Sequence, residues 1–368
     1  MKYRLGEICD VVSGGTPSRA IAEFWDGGTI PWIKIGNIQR KYVDEADEYI
    51  TQAGLEGSSA KMLSAGTILF TIFATLGEVG ILTIEACTNQ AIAGITIKNQ
   101  SDILTDYLYY FLKSQKSCIA ALGRGVAQNN INLSILRNFE VPIPDLPMQK
   151  QIVAILDKTA KVVEVRQQQL QQLDELVKAR FVELFGDGNH PHIALIDLII
   201  EGAGLSYGIV QPGDDGTGDM GVLRPVDMVD GKISTASIKY IDRSIGDGFK
   251  KTELYGDELL ITVRGTTGIT ALTDIRFNGM NVTRGIAVVR YDRNKINPVY
   301  LNAYLNTDES QRYIQEHTRG ATLQQINLSD LRVQQIMVPP LALQEQMAAF
   351  IEQTDKSKVV VQDEVNGL

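Results

Sequence analysis

The strongest constraint on this chain is that it repeats itself once. Residues 124–137 read RGVAQNNINLSILR and residues 319–332 read RGATLQQINLSDLR, an offset of 195 that runs on without a gap through Pro144/Pro339, Gln149/Gln344, Gln151/Gln346 and Ala154/Ala349. Between 124 and 156 the two copies share 13 of 33 positions. Weaker echoes precede this block in the same order: Ile30–Ile38 parallels Met220–Met228, Ala65–Phe70 parallels Tyr255–Leu260, Thr88–Ala93 parallels Val282–Ala287, and Tyr107–Leu112 parallels Tyr300–Leu305. Ordered blocks at a near-constant offset predict one supersecondary unit built twice. Each half carries short apolar runs bounded by glycine, such as Thr67–Phe73 and Leu259–Val263, which read as strands. Helical spacing follows in Thr105–Ser114 and Pro298–Asn306.

After each copy the period changes. From Ile152 to Leu184 the residues that step by four and three are Ile, Leu, Thr, Val, Arg, Leu, Leu, Val, Phe and Leu, and no proline or glycine lies between Pro147 and Gly186. That pattern predicts one long helix with a single apolar seam, about 55–60 Å in length at 1.5 Å per residue. A shorter tail repeats the seam from Met347 to Leu368. The expected fold is therefore α+β: two sheet-based domains (1–146 and 186–340) joined by two long helices (147–185 and 341–368). The helices should form an antiparallel coiled coil in a pseudo-twofold arrangement.

Composition removes several function classes. Cys9, Cys87 and Cys118 have no CxxC spacing and are odd in number, so neither a disulfide framework nor a zinc site is expected. Phosphate-loop, dinucleotide and zinc-protease motifs are missing. The glycine-rich run Gly213–Gly218 is acidic and lacks a lysine, which suits a surface loop. The N-terminus has no signal-peptide core and no window reads as a membrane span, which predicts a cytoplasmic protein. A net charge of −9 argues against binding nucleic acid by bulk electrostatics, although a local cationic patch suffices for phosphates. A duplicated domain on a spacer, without catalytic residues, reads as a binding and measuring device.

Several blocks carry a family resemblance. They are Leu5–Pro17 (LGEICDVVSGGTP), Ile30–Ile38 (IPWIKIGNI), the Gly66–Leu69 run, the G-x-x-Q-x-x-I-N-L block at 125–133, and Val141–Pro144 leading into Gln149–Val153. Occurring twice in order, these resemble the specificity subunits of type I restriction-modification systems. The resemblance implies a non-catalytic subunit whose two target-recognition domains each read half of a split DNA site, with the helices fixing their separation. It further implies two methyltransferase subunits and motor-nuclease restriction subunits as partners. S-adenosylmethionine, ATP and Mg²⁺ would then sit on those partners and no cofactor on this chain. Readings from other classes are a methyltransferase–recognition fusion with a degenerate catalytic half and a duplicated protein-binding scaffold.

Base edges are read by Arg, Lys, Asn and Gln, and phosphates by cations. In the first half the exposed-turn candidates are Lys34, Asn37, Asn89, Gln90, Arg124, Gln128, Asn129 and Asn130. In the second half they are Arg224, Arg264, Arg284, Arg319, Gln324 and Gln325. The segment matching Arg264, Phe73–Glu78, has no arginine, so the two halves should read different sequences. The tail pairs Gln149/Gln344 and Gln151/Gln346 are expected to contact partner subunits, because the repeat is strongest there.

Overall fold

The computed structural model describes residues 1–116, 118–119, 131–186, 188–211, 218–229, 231–321 and 323–367. The chain divides into two compact units, Met1–Glu164 and Val165–Leu368. In the first unit the central strands are Ile68–Thr71, Val79–Leu82 and Ile92–Ile97, with Cys9–Ser13 on one edge and Tyr42–Val43 on the other. Ile68–Thr71 and Val79–Leu82 are buried at every residue, which is why they read as continuous apolar runs. A smaller sheet sets Ile30–Ile33 between Glu48–Ile50 and Cys87–Thr88.

The second unit repeats this frame. Leu259–Thr262 pairs with Thr270–Leu272 and Ile286–Val289, and Ser206–Tyr207 forms the edge. Met220–Leu223 lies between Lys239–Ile241 and Asn281–Val282. Both units also close their ends with a short antiparallel pair, Lys2–Arg4 on Glu140–Pro142 and His192–Ala194 on Gln335–Met337. Register equates Ile68 with Leu259, so the extra residue Asp257 moves the offset from 190 to 191 at this point.

The predicted long helix is a single element, Leu146–Phe185. Asp145 caps it: one carboxylate oxygen accepts the Met148 N–H at 3.1 Å. The tail forms a second helix, Leu341–Asn366. Within the second unit these two helices run antiparallel, since Arg166 meets Glu364 (2.7 Å), Asp174 meets Lys358 (2.7 Å) and Arg180 lies over the Phe350 ring. The two cations that interrupt the apolar seam, Arg166 and Lys358, are thus each matched by an acid on the facing helix. Phe181 and Phe185 seat the long helix on its domain by packing against Tyr300, the former stacked at 6.0 Å between ring centroids. No helix among the described residues is long and apolar enough to cross a membrane.

The repeated residues turn out to be ones that hold each unit together. Ile131 and Ile326 donate backbone hydrogen bonds to the strand ends at Ile72 and Val263 (3.1 and 3.0 Å). Arg137 and Arg332 donate through Nη2 to the carbonyls of Val11 and Leu205 (2.6 and 2.9 Å). Tyr107 and Tyr300 donate to Pro142 and Met337 (2.7 and 2.9 Å).

Gln149 and Gln344 require a correction. Both side chains are 0% exposed. Gln149 accepts the Leu104 N–H at 2.9 Å and donates to the carbonyls of Asp102 and Pro144, both at 2.8 Å. Gln344 does the same with Asn297 (2.8 Å), Lys295 (3.3 Å) and Pro339 (2.7 Å). A buried amide with its donors and acceptor engaged offers nothing to a partner, so this pair staples helix to domain rather than docking a subunit. Gln151 and Gln346 are exposed.

Candidate nucleic-acid interface

Among the described residues, the predicted polar side chains gather where the central strand of each domain ends. In the second domain the Val263 N–H donates to the Gly285 carbonyl (2.8 Å), and its carbonyl accepts from Ile326 (3.0 Å). Arg264, the next residue, therefore emerges between the Thr283–Gly285 turn and the hairpin that carries Arg319, Gln324 and Gln325. Arg319 and Gln325 exchange two backbone hydrogen bonds of 2.8 Å, and the Gly265 N–H donates to the Gln324 carbonyl at 2.9 Å. Gly265 has φ +86°, a conformation that glycine adopts without strain. Gly285 is fixed by close approach, since a Cβ there would lie 2.6 Å from Pro225 Cγ. Five of the six candidates of this domain thus belong to one edge of the sheet, and the Arg224–Pro225 turn lies against it.

Their electrostatic states differ. Arg224 is committed internally: Nε and Nη2 donate to the fully buried Asp227 carboxylate at 3.1 and 3.0 Å, and these hydrogen bonds raise its pKa. Arg319 is exposed and stands 3.9 Å from Asp330. Arg264 is half-buried and Arg284 exposed, and among the described residues neither side chain has a hydrogen bond or ion pair. Those two cations are the uncommitted ones. Gln324 is exposed and Gln325 half-buried.

In the first domain Lys34 pairs with Glu48 at 2.6 Å and stands 3.8 Å from Asp47, while Asn37 accepts the Lys34 backbone N–H at 2.8 Å. This turn closes like Arg224–Asp227, its last side chain accepting the N–H of its first residue, but its cation is engaged outside the turn by Glu48 and Asp47. Asn89 accepts the Ala91 N–H at 3.1 Å, holding the turn that presents the exposed Gln90. Arg124, Gln128, Asn129 and Asn130 lie outside the described residues.

The structure adds residues to this edge that sequence reading passed over. The Thr16 hydroxyl donates to Gln90, tying the Gly14–Ser18 loop to the turn. Arg19 shares the Glu48 carboxylate with Lys34, and its guanidinium lies 3.6 Å from the centre of the Trp25 ring. Hydrogen bonds from Lys34 and Arg19 hold Glu48 below the ordinary carboxylate range. The spacing of Arg19 from Trp25 and Trp32 was the available signal, but only folding brings the two rings together at 5.1 Å.

Among the described residues no group of three or more His, Cys, Asp or Glu side chains is placed to hold a metal. Burial pushes the Cys9 and Cys87 thiols up, to about 12 and about 11, so both stay protonated and unreactive near neutral pH.

Known proteins share this organisation. The type I restriction modification DNA specificity domain matches residues 1–175 and again 219–364. The chain is 23% identical over 376 residues to the MjaIX specificity subunit of Methanocaldococcus jannaschii, covering 95% of this chain and 85% of that one. It is 33% identical over 160 residues to the EcoR124I/EcoR124II specificity subunit of Escherichia coli, covering 42% of this chain and only 39% of that relative. The crystal structure of a type I restriction-modification S subunit from M. genitalium superposes with a TM-score of 0.56 at 14% identity, covering 100% of this chain and 92% of that one. A chain from a solved type I system, studied for complex assembly and conformational transition, gives 0.53 at 16% identity, covering 100% and 93%. The two matches of the family pattern, one on each half of a duplicated frame, place this chain in the type I restriction-modification DNA specificity family, as a specificity subunit.

Proposed function

We propose that each domain reads one half of a bipartite, asymmetric double-stranded DNA site, with the two long helices setting the distance between half-sites. The observation that carries this reading is the pair Arg264 and Arg284: two uncommitted cations on adjoining turns, at an edge whose counterpart in the first domain is chemically different. Guanidinium groups read guanine by two hydrogen bonds to O6 and N7. Phosphate contacts then fall to cations such as Arg319, and to Lys34 and Arg19 around Glu48. The remaining described candidates, Asn37, Asn89, Arg224, Gln324 and Gln325, complete or support the proposed contact surface, and Arg124, Gln128, Asn129 and Asn130 are kept as candidates on their sequence alone.

In the same proposal two methyltransferase subunits and the restriction motor-nuclease subunits assemble on this chain in the cytoplasm. They bring S-adenosylmethionine, ATP and Mg²⁺, and exposed Gln151 and Gln346 are the tail positions open to contact. Co-expression with the neighbouring methyltransferase, followed by genome-wide mapping of methylated adenines, tests the reading. One bipartite motif with two unlike halves is expected. A continuous or symmetric motif, or methylation independent of this chain, would overturn it.

A further inference from the structure

The two reading edges can be matched residue for residue. Thr71 and Thr262 each accept a backbone N–H from six residues on, Gly77 (3.0 Å) and Gly268 (2.9 Å), and donate their own N–H to Glu78 (3.0 Å) and Ile269 (2.8 Å). Their hydroxyls accept from the same Glu78 and Ile269 N–H groups, at 2.8 and 2.9 Å. Ile72 donates to Ala91 as Val263 donates to Gly285, both at 2.8 Å. Positive φ falls on Ala74 (+57°) and Gly265 (+86°), and again on Gly77 (+81°) and Gly268 (+90°). The residue standing where Arg264 stands is therefore Phe73, and the residue standing where Arg284 stands is Gln90.

Phe73 is a large apolar side chain with 39% of its surface exposed at the tip of this hairpin. Ala74 beside it is the one non-glycine residue with positive φ among those described. Backbone strain of that kind persists only where the surroundings fix it, and it marks a tip held in one shape. A phenylalanine and a glutamine on adjoining turns, linked through the Ile72 N–H and the Ala91 carbonyl, suit one base pair in particular. Glutamine pairs with the N6 and N7 edge of adenine, and an apolar group covers the thymine 5-methyl. The Thr16 hydroxyl takes one lone pair of the Gln90 carbonyl oxygen, which orients the amide and leaves the second lone pair and both N–H donors for a base.

We infer that the first domain reads A·T pairs through Phe73 and Gln90 at the positions where the second domain meets guanine through Arg264 and Arg284. This rests on the DNA-reading function proposed above and assigns it a base class. Because the frame is shared, the hairpin tip meets the same groove in both domains, and the exchange of arginine for phenylalanine changes the preferred base rather than the mode of approach.

The test uses the full chain assembled with its methyltransferase and a duplex carrying the mapped target. Each thymine of the first domain's half-site is replaced singly by deoxyuridine, which lacks only the methyl group. At one position affinity should fall about fourfold, the factor corresponding to one buried methyl group. Phe73→Ala should bind more weakly to the thymine duplex and lose all response to that replacement, while Phe73→Leu should keep it. Unchanged discrimination at the second half-site in the same Phe73→Ala complex shows that the protein is folded and assembled. A first half-site without an A·T pair, or a Phe73→Ala complex as sensitive to deoxyuridine as the parent, overturns the inference. A parent complex that binds no bipartite duplex refutes the underlying DNA-reading function instead, so the two failures are distinguishable.

Discussion

The two domains keep the same backbone hydrogen bonds at the ends of their central strands and differ in what they hang on them. Where the first has Thr67 and Thr96 with hydroxyls 3.3 Å apart, the second has buried Glu258, with Arg290 at 3.8 Å. The Glu258 carboxylate accepts the N–H groups of Tyr255 (2.7 Å), Gly256 and Asp257 (both 3.1 Å) and the Thr273 hydroxyl (2.8 Å). A neutral pair has been exchanged for a charged pair at one place in the sheet, as burial of a single unmatched charge would demand. Lys41, Asp106 and Asp157 form a network in the first domain alone. Sequence identity between halves thus tracks the frame, and sequence difference tracks the tips and a few compensated interior sites. Repetition within one chain is evidence of shared architecture first and of shared partners only second.

The largest way to break that equivalence is to remove a staple. Gln149→Leu and Gln344→Leu each leave one N–H and two carbonyls, most of them part-buried, without their partners, which should cost about 2–4 kcal/mol apiece. Chemical denaturation of the full chain measures this. If one substitution is silent while the other is severe, the two attachments of helix to domain are not the same device.

Next in size come the two arginines proposed to read bases. Arg264→Ala and Arg284→Ala should each weaken binding at the second half-site by about 1–3 kcal/mol and relax its sequence, with no change at the first. A flatter salt dependence with sequence preference intact would reassign them to phosphate. Binding that is unaltered at every salt concentration would remove them from the interface.

Backbone strain at the hairpin tips gives a smaller contrast. Gly265→Ala puts a side chain at φ +86° with open space around it, so the cost is conformational alone, about 1 kcal/mol. Ala74→Gly should fall within about 0.5 kcal/mol of the parent, because relief of strain is offset by the entropy glycine loses on folding. Thermal unfolding separates the two, and a destabilisation by Ala74→Gly larger than that by Gly265→Ala would contradict the matched geometry.

The smallest effect is pH-dependent and confined to the first domain. Burial pushes the Asp157 carboxyl up, but hydrogen bonds from Lys41 and Tyr110 outweigh it and hold the pKa below its ordinary 3.8. Burial likewise works against the charge on Lys41, yet Asp106 and Asp157 hold its pKa above 10.5. A depressed carboxyl stabilises the fold above its unfolded pKa and loses that contribution as pH falls through the folded value. The raised lysine keeps its own contribution until strong alkali. Since Asp157 is half-exposed, the gain at neutral pH is about 0.5 kcal/mol after screening. Hydrogen exchange in the Thr105–Ser114 helix should be faster in Asp157→Asn at pH 7, and the difference should shrink as pH falls below 3.8 and vanish once it has passed the depressed folded value. A difference that persists in acid would show that the carboxylate charge is not what matters.

Much of this was legible before folding. The 195-residue offset located the second copy, and the seam from Ile152 to Leu184 located the long helix, because both are periodicities that survive in one dimension. The burial of Gln149 and Gln344 was not legible: a glutamine on the first turns of an amphipathic helix looks solvated until Leu104 and Asn297 arrive from elsewhere in the chain. Arg224 looked like a free cation, although Asp227 three residues on was a visible hint that the turn closes on itself. The match of Phe73 with Arg264 needed the hydrogen-bond frame, since Asp257 and other insertions shift the offset between blocks.

In the proposed function each domain reads its own half-site independently on a common frame. Exchange of residues 1–146 for the corresponding domain of another such subunit, followed by adenine-methylation mapping of the assembled complex, tests it directly. A new first half-site is expected, with the second half-site and the gap unchanged. A motif altered in both halves at once would contradict it.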